Sequence, residues 1–389
     1  MKKDWTYKKL GEVCEKITDG SHNPPKGVMH SNFRMLSSQN IFNHYIDYNA
    51  GVRYVSEVDY NVENRRTSLQ ADDVLMTIVG TIGRSCVVSD NDKNIVLQRS
   101  VAVLRPKKDI VLSHYLSYSI HGLNEKINKE AHGIAQKGIY LRQLSDISIP
   151  IPPLSIQRSI VSELDLLHSV IEKKQEQLRA LDNLAQSLFY QMFGDPITNP
   201  MGWEVKKLGK VCVSELGKTL NQSKDTGVLR PYLCAINISW GRIDTTNLKQ
   251  TRFEDYELDR YSVQKGDLLI CEGGDTGRAA IWEKDMPMLY QNALHRVRFN
   301  DNVLAVYALY WLHYLKMKGE IDNKYSKGVT IKHLVKSSLL SIPIPLPPLS
   351  LQQSFAAKVS AIEAQKRFIS QSIKDVESLL AQRMDHYFG

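Results

Sequence analysis

The sequence predicts an α+β protein built twice, each half a mixed α/β domain followed by a long helix, with the two helices pairing as an antiparallel coiled coil in a pseudo-twofold repeat. Three observations carry this. Trp5 to Cys14 (WTYKKLGEVC) matches Trp203 to Cys212 (WEVKKLGKVC) at seven of ten positions. Ile149 to Ser159 (IPIPPLSIQRS) matches Ile344 to Ser354 (IPLPPLSLQQS) at eight of eleven. After each Pro-Pro-Leu the apolar residues alternate in steps of four and three over four heptads or more, which is the pattern of a coiled-coil seam.

The domain boundaries follow from these anchors: a first domain at 1–148, a helix at 149–194, a second domain at 195–343 opened by a linker at 195–198, and a helix at 344–389. Within the domains, Val74 to Val79, Ile95 to Leu97 and Val101 to Leu104 read as strands between Gly- and Asn-rich turns. Val111 to Ile120 and Val303 to Met317 read as one helix per half, with an aromatic stripe belonging to the core. The first long helix places Ile160, Leu164, Leu167, Ile171, Leu178, Leu181 and Leu188 on its seam. The second places Phe355, Val359, Ile362, Ile369, Ile373, Val376 and Leu380 there. Ser155 and Ser350 are the expected N-caps, and Ser350 to Gln353 has the spacing of a capping box. About 38 helical residues at 1.5 Å each make a rod of roughly 55 Å. The alternative is two ordinary amphipathic helices, each packed on a globular core of its own.

Composition excludes several classes. The chain of 389 residues has 50 Lys and Arg against 42 Asp and Glu, a formal charge of +8. Charges of the two signs cancel over 154–194 and 349–389 taken together, so the excess falls on the two domains, where it favours a polyanionic partner. No apolar run reaches the length of a membrane span and no signal-peptide core follows Met1, so a cytoplasmic protein with no membrane partner is expected. Five cysteines without a C-x-x-C pair argue against a disulfide framework and a zinc knuckle. Gly217-Lys218-Thr219 lacks the upstream glycine of a phosphate loop. Asn23-Pro24-Pro25 resembles the start of an amino-methyltransferase box but is followed by Lys26 in place of an aromatic ring. No histidine pair has metal-site spacing, and no nucleophile elbow is present, so neither catalytic nor metal-binding residues are assigned.

What remains is a set of donors suited to DNA. In the first half these are His22, Asn23, Lys26, Arg34, Gln39, Asn40, Arg84, Gln98, Arg99 and Lys137. In the second they are Lys218, Asn237, Trp240, Arg242, Thr276, Arg278, Gln291, Asn292, His295 and Lys327. Arg, Asn and Gln can pair with purine edges through two hydrogen bonds, while Lys, Ser and Thr suit phosphates. The stretches occupy matching places in the two halves, although the residues differ.

Paired variable regions, each followed by Ile-Pro-x-Pro-Pro-Leu-Ser-x-Gln and a long heptad helix ending near Phe-Gly, resemble the specificity subunit of Type I restriction-modification systems over the whole chain. Thr18-Asp19-Gly20-Ser21-His22 is similar to a loop frequent at the start of target-recognition domains in that family, from which Glu215 to Thr219 departs. The resemblance implies a non-catalytic subunit that binds an asymmetric, bipartite site on double-stranded DNA, one half per target-recognition domain, with the helix pair as spacer. It implies two methyltransferase subunits as partners, and two restriction/translocase subunits in the full complex. It leaves this chain without a cofactor, S-adenosylmethionine, ATP and Mg belonging to those partners. A methylation-only or Type II-like system would use the same kind of subunit, and a coiled-coil scaffold that binds proteins alone is the reading outside DNA recognition.

Overall fold

The computed structural model describes residues 5–124, 127, 138–221, 225–328 and 332–389. The chain forms two compact units, residues 1–175 with 371–389, and residues 176–370, so each unit takes part of both long helices.

In the first unit a four-stranded antiparallel sheet has the order Cys14–Asp19, Val101–Pro106, Val74–Thr77, Ser85–Val87. A three-stranded sheet has the order Arg53–Val55, Phe33–Leu36, Ile95–Leu97, the last pair parallel. All of Val74–Thr77 is buried, and alternate side chains serve two cores. Val74 and Met76 face a core shared with Tyr115, Leu116 and Ile120 of the helix Ser113–Gly122. Leu75 faces a second core with Leu36, Ile95 and Leu97 of the smaller sheet. A strand covered on both faces reads as an unbroken apolar run, which is why Val74 to Val79 lacks alternation.

The second unit repeats this layering. Its sheet runs Cys212–Leu216, Leu294–Phe299, Leu268–Cys271, Ala279–Ile281. Leu268 and Ile270 face the core under the helix Ala305–Met317, while Leu269 and Cys271 face the core of the second sheet. A bidentate ion pair recurs at the same place in both: Arg105 on the buried Asp73 at 2.8 and 2.7 Å, and Arg298 on the buried Asp267 at 2.7 and 2.7 Å.

The repeated Pro-Pro-Leu-Ser-x-Gln motif is a joint. The helices are Leu154–Phe193 and Leu349–Phe388. Gln157, wholly buried, receives the Leu112 N–H at 2.9 Å and donates to the carbonyls of Ile110 and Pro152 at 2.9 Å each. Gln352 does the same with Leu304, Asn302 and Pro347. The helices begin two residues earlier than those caps would place them, and the carbonyls of Pro153 and Pro348 take the first N–H groups. Ser155 and Ser350 therefore lie inside the first turn, and the anticipated caps and capping box do not form. Gln157→Leu is expected to lower stability by about 3 kcal/mol, because it strands one buried N–H and two carbonyls; urea unfolding measures it.

The antiparallel pairing is visible within each unit. Glu163 pairs with Arg383 and accepts from the Tyr387 hydroxyl at 2.6 Å. Lys366, a polar interruption of the second seam, is held by Asp182 at 2.7 Å and Glu363 at 2.8 Å. Ile160, Leu164, Ile171, Phe355, Val359, Ile362, Ile369 and Ile373 are buried, whereas Leu167, Leu178, Leu181, Val376 and Leu380 are half-buried. Leu188 is half-buried as well, beside the fully buried Ala185, Phe189 and Phe193, which are spaced by four. Near its end the helix packs on the domain core, and the stripe then drifts off the 3.5-residue period of a seam.

Candidate nucleic-acid interface

In the first domain backbone hydrogen bonds gather three loops. Ser21 N–H donates to Leu97 at 2.7 Å, Arg99 N–H to Ser21 at 2.9 Å, and Gln98 N–H to Leu36 at 2.8 Å. Ser38 N–H reaches the Ser100 hydroxyl at 3.0 Å. The crossing needs Gly20, since a Cβ there would lie 2.1 Å from the Leu97 oxygen. This stitching brings together the exposed His22, Asn23, Gln39 and Arg99 with the half-buried Gln98; Lys26 is exposed further along the first loop. Arg34 is half-buried over the Tyr48 ring, its guanidinium carbon 5.1 Å from the ring centre, and Arg84 lies 4.8 Å over Phe42. Beside Phe42, the exposed His44 packs on His168, Tyr118 and His121. Lys137 lies outside the described residues.

The second domain is stitched alike. Lys218 N–H donates to Tyr290 at 3.2 Å, Asn292 N–H to Lys218 at 2.8 Å, and Gln291 N–H to Leu233 at 2.9 Å. Gly217 makes the same close crossing, with a Cβ position 2.3 Å from the Gln291 carbonyl carbon. Arg242 and Lys327 are exposed, and Gln291 and Asn292 are half-buried. Trp240 is half-buried against His313, with ring centres 4.5 Å apart. Arg278 is half-buried and donates to the Ala235 carbonyl at 2.9 Å.

Five expected donors are interior residues instead. Asn40 and Asn237 are buried equivalents: the first accepts from Ser37 N–H at 2.9 Å, the second from Cys234 N–H at 3.0 Å, and each amide donates to carbonyls seven and ten residues ahead. They close a loop in each half. The Lys218 ammonium is buried on Glu257 at 2.6 Å and the Arg252 carbonyl at 2.9 Å, over the Phe253 ring. Thr276 is buried and bonds Asp322 at 2.9 Å and Ser326 at 3.0 Å. His295 is buried with Nε2 2.7 Å from the Leu334 carbonyl, and burial holds its pKa below the usual histidine value. In each case a polar side chain serves the buried backbone or a buried charge, a demand that a linear sequence does not display.

The sequence reading missed Arg66. It lies in the last turn of the helix Glu57–Thr67 and its guanidinium pairs with the buried Asp19. Its sequence signal is weak, a dibasic Arg65-Arg66 in a polar stretch outside the repeat anchors.

Two copies of one layered α+β framework, joined to paired helices and differing in their exposed donors, define a duplicated recognition protein. The family model for the Type I restriction modification DNA specificity domain matches residues 2–181 and 200–378, and the chain belongs to that family. It is 23% identical over 390 residues to the putative type I restriction enzyme MjaX specificity subunit of Methanocaldococcus jannaschii, covering 92% of this chain and 87% of that one. It is 26% identical over 308 residues to the EcoBI specificity subunit of Escherichia coli, covering 72% and 65%. Among solved structures, a chain from a study of complex assembly and conformational transition of the type I R-M system aligns with a TM-score of 0.62 at 18% identity, covering 99% and 97%. The S subunit from M. genitalium aligns with a TM-score of 0.55 at 14% identity, covering 99% and 96%.

Proposed function

We propose that the chain is the non-catalytic DNA-reading subunit of a Type I restriction-modification complex in the cytoplasm. Each domain binds one half of a bipartite asymmetric site on double-stranded DNA. The chain also scaffolds two methyltransferase subunits and, in the restricting complex, two restriction/translocase subunits. S-adenosylmethionine, ATP and Mg act on those partners. The observation that carries this reading is the shared loop stitching of the two domains: the same backbone bonds present His22, Asn23, Gln39 and Arg99 in one half, and Gln291 and Asn292 in the other. An invariant frame with different side chains suits two different half-sites.

The test replaces residues 15–135 with the matching segment of another family member and co-expresses the chain with its methyltransferase. Mapping of methylated bases across the host genome should show one half of the motif changed and the other retained. An unchanged motif would favour a scaffold that does not read DNA.

A further inference from the structure

We infer that Asp19 is a positioning residue that fixes Arg66 and His22 as a paired base-reading unit of the first domain. The inference rests on the DNA-reading function proposed above and names residues within it. Asp19 ends the strand Cys14–Asp19, and its side chain is 7% exposed. One carboxylate oxygen accepts from Nη2 of Arg66 and the other from Nε2 of His22 at 2.8 Å. Nε of Arg66 donates to the Asp19 carbonyl at 3.0 Å. The two partners are themselves about half exposed, 50% for Arg66 and 53% for His22.

The hydrogen-bond inventory identifies what is left over. Of five guanidinium N–H groups, two are spent on Asp19; of the other three, one on each terminal nitrogen forms the end-on edge of the fork, which matches two adjacent acceptors such as O6 and N7 of guanine. A carboxylate only accepts, so Nε2 of His22 carries its proton toward Asp19, and Nδ1 is the ring nitrogen left for a ligand. Base reading fits better than a phosphate contact. Asp19 cancels one positive charge, which weakens attraction to a phosphate, but it fixes the plane of the guanidinium in advance, which a base edge requires and a phosphate does not. Arg99 is tied to the same loop through its N–H bond to Ser21.

The second domain closes the equivalent loop with reversed polarity. There the cation, Lys218, comes from the loop and the acid, Glu257, from the segment after the strand Lys249–Phe253, and the ammonium is buried. Among the described residues no guanidinium there is held by a buried carboxylate; Arg252, whose carbonyl takes the Lys218 ammonium, donates to the Gly227 carbonyl at 2.9 Å, so the Asp19 arrangement belongs to one half-site.

The full chain is co-expressed with its methyltransferase in a host without other DNA methylation, as wild type, Asp19→Asn, Arg66→Ala and Arg66→Lys, and methylated motifs are mapped. Asp19→Asn and Arg66→Ala should relax at least one position of one half-motif by roughly 10- to 100-fold, with the other half unchanged. Arg66→Lys, which keeps the charge and loses the fork, should relax it too. An unchanged motif in Asp19→Asn and Arg66→Ala, or a weakening that is uniform over sequences, would overturn the inference. Arg66 is at the surface, so its variants decide the matter if Asp19→Asn fails to accumulate. A wild type that yields no bipartite motif would instead overturn the function on which the inference stands.

Discussion

Phe388→Ala is expected to cost about 3–5 kcal/mol of stability, the range for truncating a buried phenylalanine. Phe388 is 3% exposed and its ring centre lies 5.5 Å from that of Tyr115. Its Cβ lies 2.5 Å from the place a Cβ on Gly122 would occupy, so the glycine is what lets the helix end close on Ser113–Gly122. Tyr115 in turn donates to the Pro150 carbonyl at 2.9 Å. The end of the second long helix is thus sealed into the core of the first domain by the buried Phe388 ring, with Leu380, Met384 and Tyr387 packed around it. Phe193 has the matching place in the second unit, with ring centres 4.8 Å from Tyr307 and 5.2 Å from Phe355, and Phe193→Ala should cost a similar amount. Phe368, 75% exposed on the same helix as Phe388, is the control, and its alanine variant should change stability by no more than about 0.5 kcal/mol. Urea midpoints of the three variants, measured side by side, decide the matter. Equal midpoints for Phe388→Ala and Phe368→Ala would refute the packing account.

The second large effect is on DNA affinity. Binding to the cognate duplex, with the methyltransferase present, should weaken steeply with salt, because each neutralised phosphate releases counterions. Among the described residues four of the candidate cations are exposed, Lys26, Arg99, Arg242 and Lys327. If each covers one phosphate, the log–log slope is about −3.6, and affinity falls roughly 150-fold between 50 and 200 mM salt. Lys327→Ala should then make the slope shallower by about 1. Lys218→Ala should leave the slope unchanged and lower stability instead, since its ammonium is committed to Glu257 inside the domain. Fluorescence anisotropy titrations across salt concentrations separate the two lysines. A shallower slope in Lys218→Ala would contradict the buried ion pair.

The contrast between these lysines shows where sequence reading stops. Lys218 and Lys327 both lie in loop-like stretches with glycine beside them, and nothing local distinguishes a lysine that reaches solvent from one that neutralises a carboxylate 39 residues away. Asn40 and Asn237 pose the same difficulty. Their spacing to the carbonyls they bond is regular, but it becomes meaningful only when the loop closes. Gln157 and Gln352 differ in being legible as repeats, because the joint they form is local to the helix start and recurs at an offset of 195. Around Leu188 the helix answers to a domain core, and the fully buried Ala185, Phe189 and Phe193 are spaced by four in place of the heptad's alternation.

The sequence by itself determined the duplication, the α+β class, the two long helices and the family resemblance. Each of these rests on periodicity or on residues close together in the chain, where propensity and local hydrogen bonding suffice. Only the tertiary structure decided which donors remain at the surface and which are consumed inside, because burial and pairing are set by segments distant in sequence. Asp19 and Arg66, 47 residues apart, become one unit only when strand and helix meet.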